Sequence, residues 1–320
     1  MTPKKPWIAV FLTVCLITCA ASLFAQKPEE KQQLQAFEHQ DGIPFKTVDG
    51  RKLNLLHFHP RNTKPAEKSP WMLFVHGGGW RGGNKYNILR PAYRKTLEEL
   101  TANGVACFSL DYRLTKNGIT ARESVVDCKD AARFLLKHAD RFHLDPERYG
   151  VWGGSAGGHL SLMTALGRNA DFTGDPNLAG IPLSFQCVAS YFPLTTLTNP
   201  EVLEGSKFED PEVLRHVLDG LFSEKPDLAR LLSPTEYLTK DSPPILLLHG
   251  EKDPILSIKN SHHMMDVAEK TGANVQLLSV KNATHSFGGK NISPTMEEIN
   301  AASARFILSH LTDTPPSAGQ

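Results

Sequence analysis

Residues Gly153-Gly154-Ser155-Ala156-Gly157 form a G-x-S-x-G pattern between an apolar strand pattern, Tyr149 to Trp152, and a helical one that begins near Ala156. A serine hydroxyl is a weak nucleophile, and a sharp strand-to-helix turn lifts it clear of a sheet and aims helix N–H groups at it. To act, it needs a base within hydrogen-bond reach, a carboxylate to orient that base, and donors for the oxyanion on an attacked carbonyl. A glycine-rich turn with an incidental serine gives the same pattern, so its meaning depends on whether the other parts are present.

Each part has a candidate at a predicted strand end. His76-Gly77-Gly78-Gly79 follows the apolar run Trp71 to Val75, and the N–H groups of Gly77 and Gly78, with that of Ala156, could surround an oxyanion. Ile245 to Leu248 runs into His249-Gly250-Glu251-Lys252-Asp253-Pro254. There Asp253 can reach back over the sheet; Glu251 is its rival, and the proline favours a fixed carboxylate at 253. For the base, the order serine, acid, histidine leaves His262, His263, His285 and His310. The first two sit in a helical stretch and His310 lies late in the closing helix. His285 occupies a loop directly after a strand and is the expected base.

The elements that must position these residues alternate. Ile43 to Thr47 and Lys52 to His59, joined by Asp49-Gly50, read as an antiparallel hairpin. Continuous apolar runs at Trp71 to Val75, Cys107 to Leu110, Gly150 to Trp152, Val188 to Phe192, Ile245 to Leu248 and Val275 to Val280 suit strands buried on both faces. Helical spacing fills Ser124 to His138, Ala156 to Leu166, Ser257 to Lys270 and Pro294 to Leu311. This alternation predicts an α/β fold whose mostly parallel central sheet is flanked by helices, with ligands gathering at the carboxyl ends of the strands. Residues 195–241 break it and read as a small cap-like excursion. The expected organisation is an export signal over 1–25, a linker over 26–42 whose charged, glutamine-rich residues 26–40 also suit a frayed helix, a catalytic domain over 43–311 and a disordered tail over 312–320.

Taken in chain order, His76 to Gly79, Asp111-Tyr112-Arg113-Leu114, Gly153 to Gly158, His249-Gly250-x-x-Asp253 and His285-Ser286-Phe287 resemble the α/β-hydrolase superfamily. The closer resemblance is to hormone-sensitive-lipase-type esterases and to the bacterial group that includes bifunctional acetyl-xylan and feruloyl esterases, in which HGGGW and GGSAGGH recur. It spans roughly residues 43–311. It implies an α/β-hydrolase fold, with Ser155 as nucleophile, Asp253 as orienting acid, His285 as general base and carboxylic esters as substrates. Two departures matter. The Ala-Pro-Glu usual in hormone-sensitive-lipase relatives does not follow Leu114, which points toward the carbohydrate-esterase group. No N-terminal helical cap is evident, so the pocket is expected to be open and shaped by Trp80, Tyr191 and the excursion. Trp80 fits packing or a pocket wall equally well. Asp111 and Arg113 could touch substrate, but are expected to form a structural ion pair below the oxyanion loop.

Composition excludes other classes. The 320 residues carry 40% hydrophobic side chains and a net charge of +1, enough for a large core, and without a basic run no nucleic-acid partner is expected. Lys4-Lys5 followed by apolar Trp7 to Phe24 reads as a secretory signal cut after Ala25. An uncleaved anchor is the alternative; after cleavage no stable membrane association is expected. Cys107, Cys128 and Cys187 would remain, read as buried thiols, although one disulfide could form. His57 and His59 share one side of a strand, a metal pair without an evident third ligand. Asn282 and Asn291 begin glycosylation sequons. No metal or organic cofactor is expected, and the anticipated partner is a small-molecule or polysaccharide ester.

Overall fold

A computed structural model of the chain describes residues 28–63 and 67–312. The expected signal and nearly all of the expected tail lie outside them. The strands are β1 (His39–Val48), β2 (Arg51–Phe58), β3 (Ser69–Val75), β4 (Ala106–Leu110), β5 (Leu144–Gly154), β6 (Cys187–Tyr191), β7 (Ile245–Gly250) and β8 (Val275–Val280). The helices are α1 (Pro28–Leu34), α2 (Pro91–Ala102), α3 (Ala121–Lys137), α4 (Ala139–Phe142), α5 (Ala156–Leu166), α6 (Pro211–Leu218), α7 (Pro226–Leu231), α8 (Lys259–Thr271) and α9 (Met296–Leu311). The chain divides into two compact units between Phe37 and Glu38. Helix α1 belongs to the first, and all the strands belong to the second.

One eight-stranded sheet runs in the order β1-β2-β4-β3-β5-β6-β7-β8. Strands β1 and β2 form the expected hairpin. Asp49 and Gly50 both take positive φ, 49° and 75°, as a two-residue turn matched to strand twist requires. Strand β2 also pairs antiparallel with β4, and every later pairing is parallel. All seven residues of β3 and all five of β4 and of β6 are buried, as helices on both faces demand. Neighbouring residues of β6 show the two layers. The Tyr191 hydroxyl reaches Thr96 of α2 and Ser303 of α9, while Ser190 lies under Gly158 of α5.

Of the two readings of residues 26–40, linker or frayed helix, the helix is present as α1, and β1 begins earlier than expected, at His39. Helix α2 was not anticipated, because its buried face is built partly from Tyr93, Thr96 and Thr101 rather than from an aliphatic stripe. The excursion over 195–241 contains α6, α7 and short 3₁₀ turns. It is tied across the carboxyl ends of the strands by Lys207 N to Pro254 O (2.8 Å) and by Thr195 Oγ1 to Asn260 O (2.7 Å). Cys107, Cys128 and Cys187 are free and buried.

A buried charge cluster joins the hairpin to α3. Asp127 accepts from Lys46 Nζ at 2.7 Å and from Arg113 Nε and Nη2 at 2.8 and 2.9 Å; Asp130 accepts from Lys46 at 2.7 Å and Arg133 at 3.2 Å. The expected Asp111–Arg113 pair does not form. Arg113 turns to Asp127, while Asp111 accepts from the Lys85 backbone and side chain, because each guanidinium or ammonium takes the nearest desolvated carboxylate. Removing Asp127 takes from Arg113 its carboxylate partner and from Lys46 one of its two. Asp127→Ala is therefore expected to lower unfolding stability by about 3–5 kcal/mol, measured by urea unfolding. A loss below about 1 kcal/mol would place the cluster in the class of solvated surface pairs.

Candidate active site

The turn after β5 puts Ser155 in an unusual conformation. Its φ is 59° and ψ −125°, a region that costs a non-glycine residue on the order of 1–3 kcal/mol. Two backbone hydrogen bonds hold it there: Ser155 N donates to Tyr191 O at 2.9 Å, and Ser155 O accepts from His159 N at 3.0 Å. The flanking glycines answer to crowding. A Cβ on Gly154 would collide with the Tyr93 hydroxyl, and one on Gly157 with Val75 O at the end of β3.

Three distant segments meet at this turn. His285, in the loop after β8, places Nε2 3.1 Å from Ser155 Oγ and Nδ1 2.7 Å from Asp253 Oδ2. With Nδ1 donating to the carboxylate, Nε2 is the acceptor facing the serine hydroxyl. Asp253 is itself held: Oδ1 accepts from Ile255 N at 2.8 Å and Leu256 N at 3.0 Å. Burial alone would raise its pKa, but the nearby His249 imidazole, the hydrogen bond and charge of His285 and the Leu256 N–H reverse the shift and hold the carboxyl below its usual range. The rival Glu251 is exposed and accepts from Ser279 Oγ at 2.8 Å. His262 and His263 lie on α8 and His310 on α9, whereas His285 packs edge-on to Phe192 with ring centroids 4.6 Å apart.

The glycine run after β3 arches over the serine. A Cβ at Gly77 would come 3.3 Å from Ser155 Cβ and 2.6 Å from Gly154 O, so the backbone of Gly77 lies against the nucleophile turn. Gly78 has φ 130°, and a side chain there would strike Gly82 O. Ala156 is the first residue of α5, and its N–H is one of the helix donors with no partner inside the helix. Thus the backbone of Gly77 and the first turn of α5 both border the serine turn. Behind the run, Tyr112 Oη donates to His76 O at 2.8 Å, and its ring stacks on His76 at 4.2 Å.

The two expected pocket residues are core residues. Tyr191 is fully buried, with its hydroxyl 2.6 Å from Ser303 Oγ and 3.3 Å from Thr96 Oγ1. Strand alternation sends its side chain under the sheet, and only its backbone carbonyl serves the serine turn. Trp80 is also fully buried. Its φ is 58°, and its Nε1 donates to His159 Nδ1 at 3.2 Å, so packing rather than a pocket wall is its role. His159 in turn donates from Nε2 to Leu232 O at 2.8 Å, linking the motif helix to the excursion. Sequence reading quoted His159 and His249 within motifs without assigning them work. The signal was available for His159, which lies one helical turn beyond Ser155.

His57 and His59 do lie side by side, ring centroids 4.1 Å apart, with His57 stacked on Phe108 at 4.1 Å. Among the described residues no group of three histidine, cysteine or acidic side chains could hold a metal ion. Asn282 sits in a left-handed turn, with its amide donating to Asn291 O at 3.2 Å.

Comparison with known proteins agrees with this architecture. The BD-FAE family model matches residues 58–267, which include the glycine run, the serine turn and Asp253. Esterase LipQ of Mycobacterium tuberculosis is 28% identical over 240 residues, covering 74% of this chain and 55% of its own length. Esterase LipC of the same organism is 27% identical over 254 residues, covering 77% and 60% respectively. The chain therefore spans a little over half the length of these relatives. A thermophilic esterase from Thermogutta terrifontis, Est2, solved with butyrate bound, has a TM-score of 0.68 at 23% identity, covering 86% of this chain and 96% of that one. That likeness is one of fold, and it is the α/β-hydrolase fold. With the family model matched over well more than half of its length, from β2 through α8, this chain belongs to the BD-FAE family.

Proposed function

We propose that the protein is an exported serine carboxylesterase that works through an acyl-serine intermediate. One observation carries this reading: Ser155 Oγ, the His285 imidazole and the Asp253 carboxylate form an unbroken hydrogen-bonded line at 3.1 and 2.7 Å. In this mechanism His285 Nε2 takes the Ser155 proton as Oγ bonds to the ester carbonyl carbon. The carbonyl electron pair moves onto oxygen, where the N–H groups of Gly77, Gly78 and Ala156 receive it. Asp253 stabilises the imidazolium. Collapse breaks the ester C–O bond, and the imidazolium gives its proton to the departing alcohol. Water then repeats the sequence on the acyl-serine, releasing the acid.

The substrate class we favour is a small acyl group, acetyl or feruloyl, on a carbohydrate alcohol, in keeping with family membership and with the export signal read at Lys4 to Ala25. General hydrolysis of short-chain esters is the second reading. It draws on the Thermogutta terrifontis esterase solved with butyrate and with propionate. Acetate and ferulate release from natural xylan, measured beside aryl esters of increasing chain length, separates the two. Ser155→Ala is expected to remain folded and to lose about 10⁴- to 10⁶-fold in kcat. Unchanged turnover would remove Ser155 from the reaction.

The same site sets an acid limit. Burial pushes the pKa of His76, which begins the glycine run, and of His159, beneath Trp80, down to about 4 from the usual 6.5. Between these values the unfolded chain binds a proton that the folded chain refuses, so stability is full above pH 6.5 and falls as the pH drops toward 4. Each histidine contributes a slope of at most about 1.4 kcal/mol per pH unit. His159→Gln should flatten the fall in urea-unfolding free energy between pH 6.5 and 4 relative to the wild type. An unaltered slope would show that His159 titrates normally.

A further inference from the structure

The carbonyl groups of the glycine run are held from separate parts of the chain. Asn87 Nδ2 approaches Gly77 O at 3.4 Å, Thr115 N donates to Trp80 O at 2.9 Å, and His216 Nε2 donates to Gly79 O at 2.8 Å. His216 stands on α6, in the excursion, 137 residues along the chain from its acceptor and outside every motif that marks the site. Three residues in succession have positive φ: Gly78 (130°), Gly79 (59°) and Trp80 (58°).

The first two glycines of the run are fixed by crowding, since a Cβ at Gly77 or Gly78 would meet backbone, whereas a Cβ at Gly79 would meet nothing within 4 Å. A glycine in open space can rotate its peptide planes at little steric cost. The Gly79–Trp80 plane is fixed by the hydrogen bond on the Gly79 carbonyl, which comes from the excursion, and the plane that follows it by the bond from Thr115 N to Trp80 O.

We propose that His216 is a positioning residue for the oxyanion donors. By holding Gly79 O it pins the far end of the run, so that the N–H groups of Gly77 and Gly78 stay aimed at the space in front of Ser155 Oγ. The excursion therefore acts on the glycine run through this imidazole, as well as covering the strand ends and meeting His159 at Leu232 O. This inference rests on the ester-hydrolase reading. The ring of His216 also borders a cavity of ≈ 360 Å³, shared with Arg81, Lys116 and Arg215 and open to solvent, which makes the donor replaceable from outside.

Three variants test it, assayed on an alkyl acetate beside the wild type. His216→Leu keeps bulk and removes the donor, His216→Gln keeps an N–H near the Nε2 position, and His216→Ala opens the cavity. Direct loss of an oxyanion donor lowers kcat by about 10²- to 10³-fold, so loss of its support is expected to lower kcat roughly 10-fold in the leucine variant, with KM within about threefold. Glutamine should retain kcat to within about threefold. Added imidazole should raise kcat in the alanine variant, with Ser155→Ala plus imidazole as the blank. Equal kcat in the leucine variant and the wild type, or equal losses in the folded leucine and glutamine variants, would overturn the inference while leaving the esterase reading intact. A wild type that hydrolyses no ester overturns both.

Discussion

Four parallel strands end in step, and the candidate site exists because they do. Val75 of β3 lies opposite Gly153 of β5, Gly154 opposite Tyr191 of β6, and Tyr191 opposite Leu248 of β7. The loops leaving these strands therefore begin along one line across the sheet: the glycine run, the serine turn and the aspartate loop. The histidine loop follows β8, whose Val280 pairs with Gly250 at the same edge. The separation of Ser155 Oγ from the His285 imidazole thus depends on packing several residues beneath it.

The turn at Ser155 shows how that packing supports strain. A backbone in this region persists only where its surroundings over-determine it. Here the neighbouring strand supplies a carbonyl acceptor at Tyr191, helix α5 supplies a donor at His159, the Tyr93 ring excludes a Cβ at Gly154 and the backbone of Val75 and His76 excludes one at Gly157. The serine is presented because a rigid sheet and a rigid helix leave it no relaxed alternative.

Buried imidazoles form a second theme. His76, His159 and His249 are each at most 1% exposed, and each satisfies its ring nitrogens differently. His76 contacts Gly77 O, His159 bridges Trp80 and Leu232 O, and His249 joins Ser261 to Leu256 O while lying 3.6 Å from Asp253 Oδ2. Burial holds the pKa of His76 and His159 below the usual value, and a neutral imidazole carries one donor and one acceptor, so these two can bond their neighbours without placing a charge beside the site. These links run among the glycine run, the serine helix, the aspartate loop and the excursion, where longer charged side chains would need counter-ions.

Much of this was legible in the chain itself. Continuous apolar runs gave the parallel strands, Asp49-Gly50 gave the hairpin turn, and the spacing of glycine, serine, aspartate and histidine at strand ends picked out Ser155, Asp253 and His285 as the residues that meet, because those features are local in sequence. Tyr191 was misplaced as a pocket candidate, Trp80 could not be divided between packing and pocket wall, the partner of Arg113 was misjudged, and α2 and His216 were not seen. Each of those depends on which face a side chain takes or which distant carbonyl or carboxylate lies nearest. The sequence alone determined the chemistry available and the elements that carry it. Only the tertiary structure decided which aromatic residues are core, which charges pair and what steadies the oxyanion loop, because such contacts join residues whose separation along the chain carries no periodic signal.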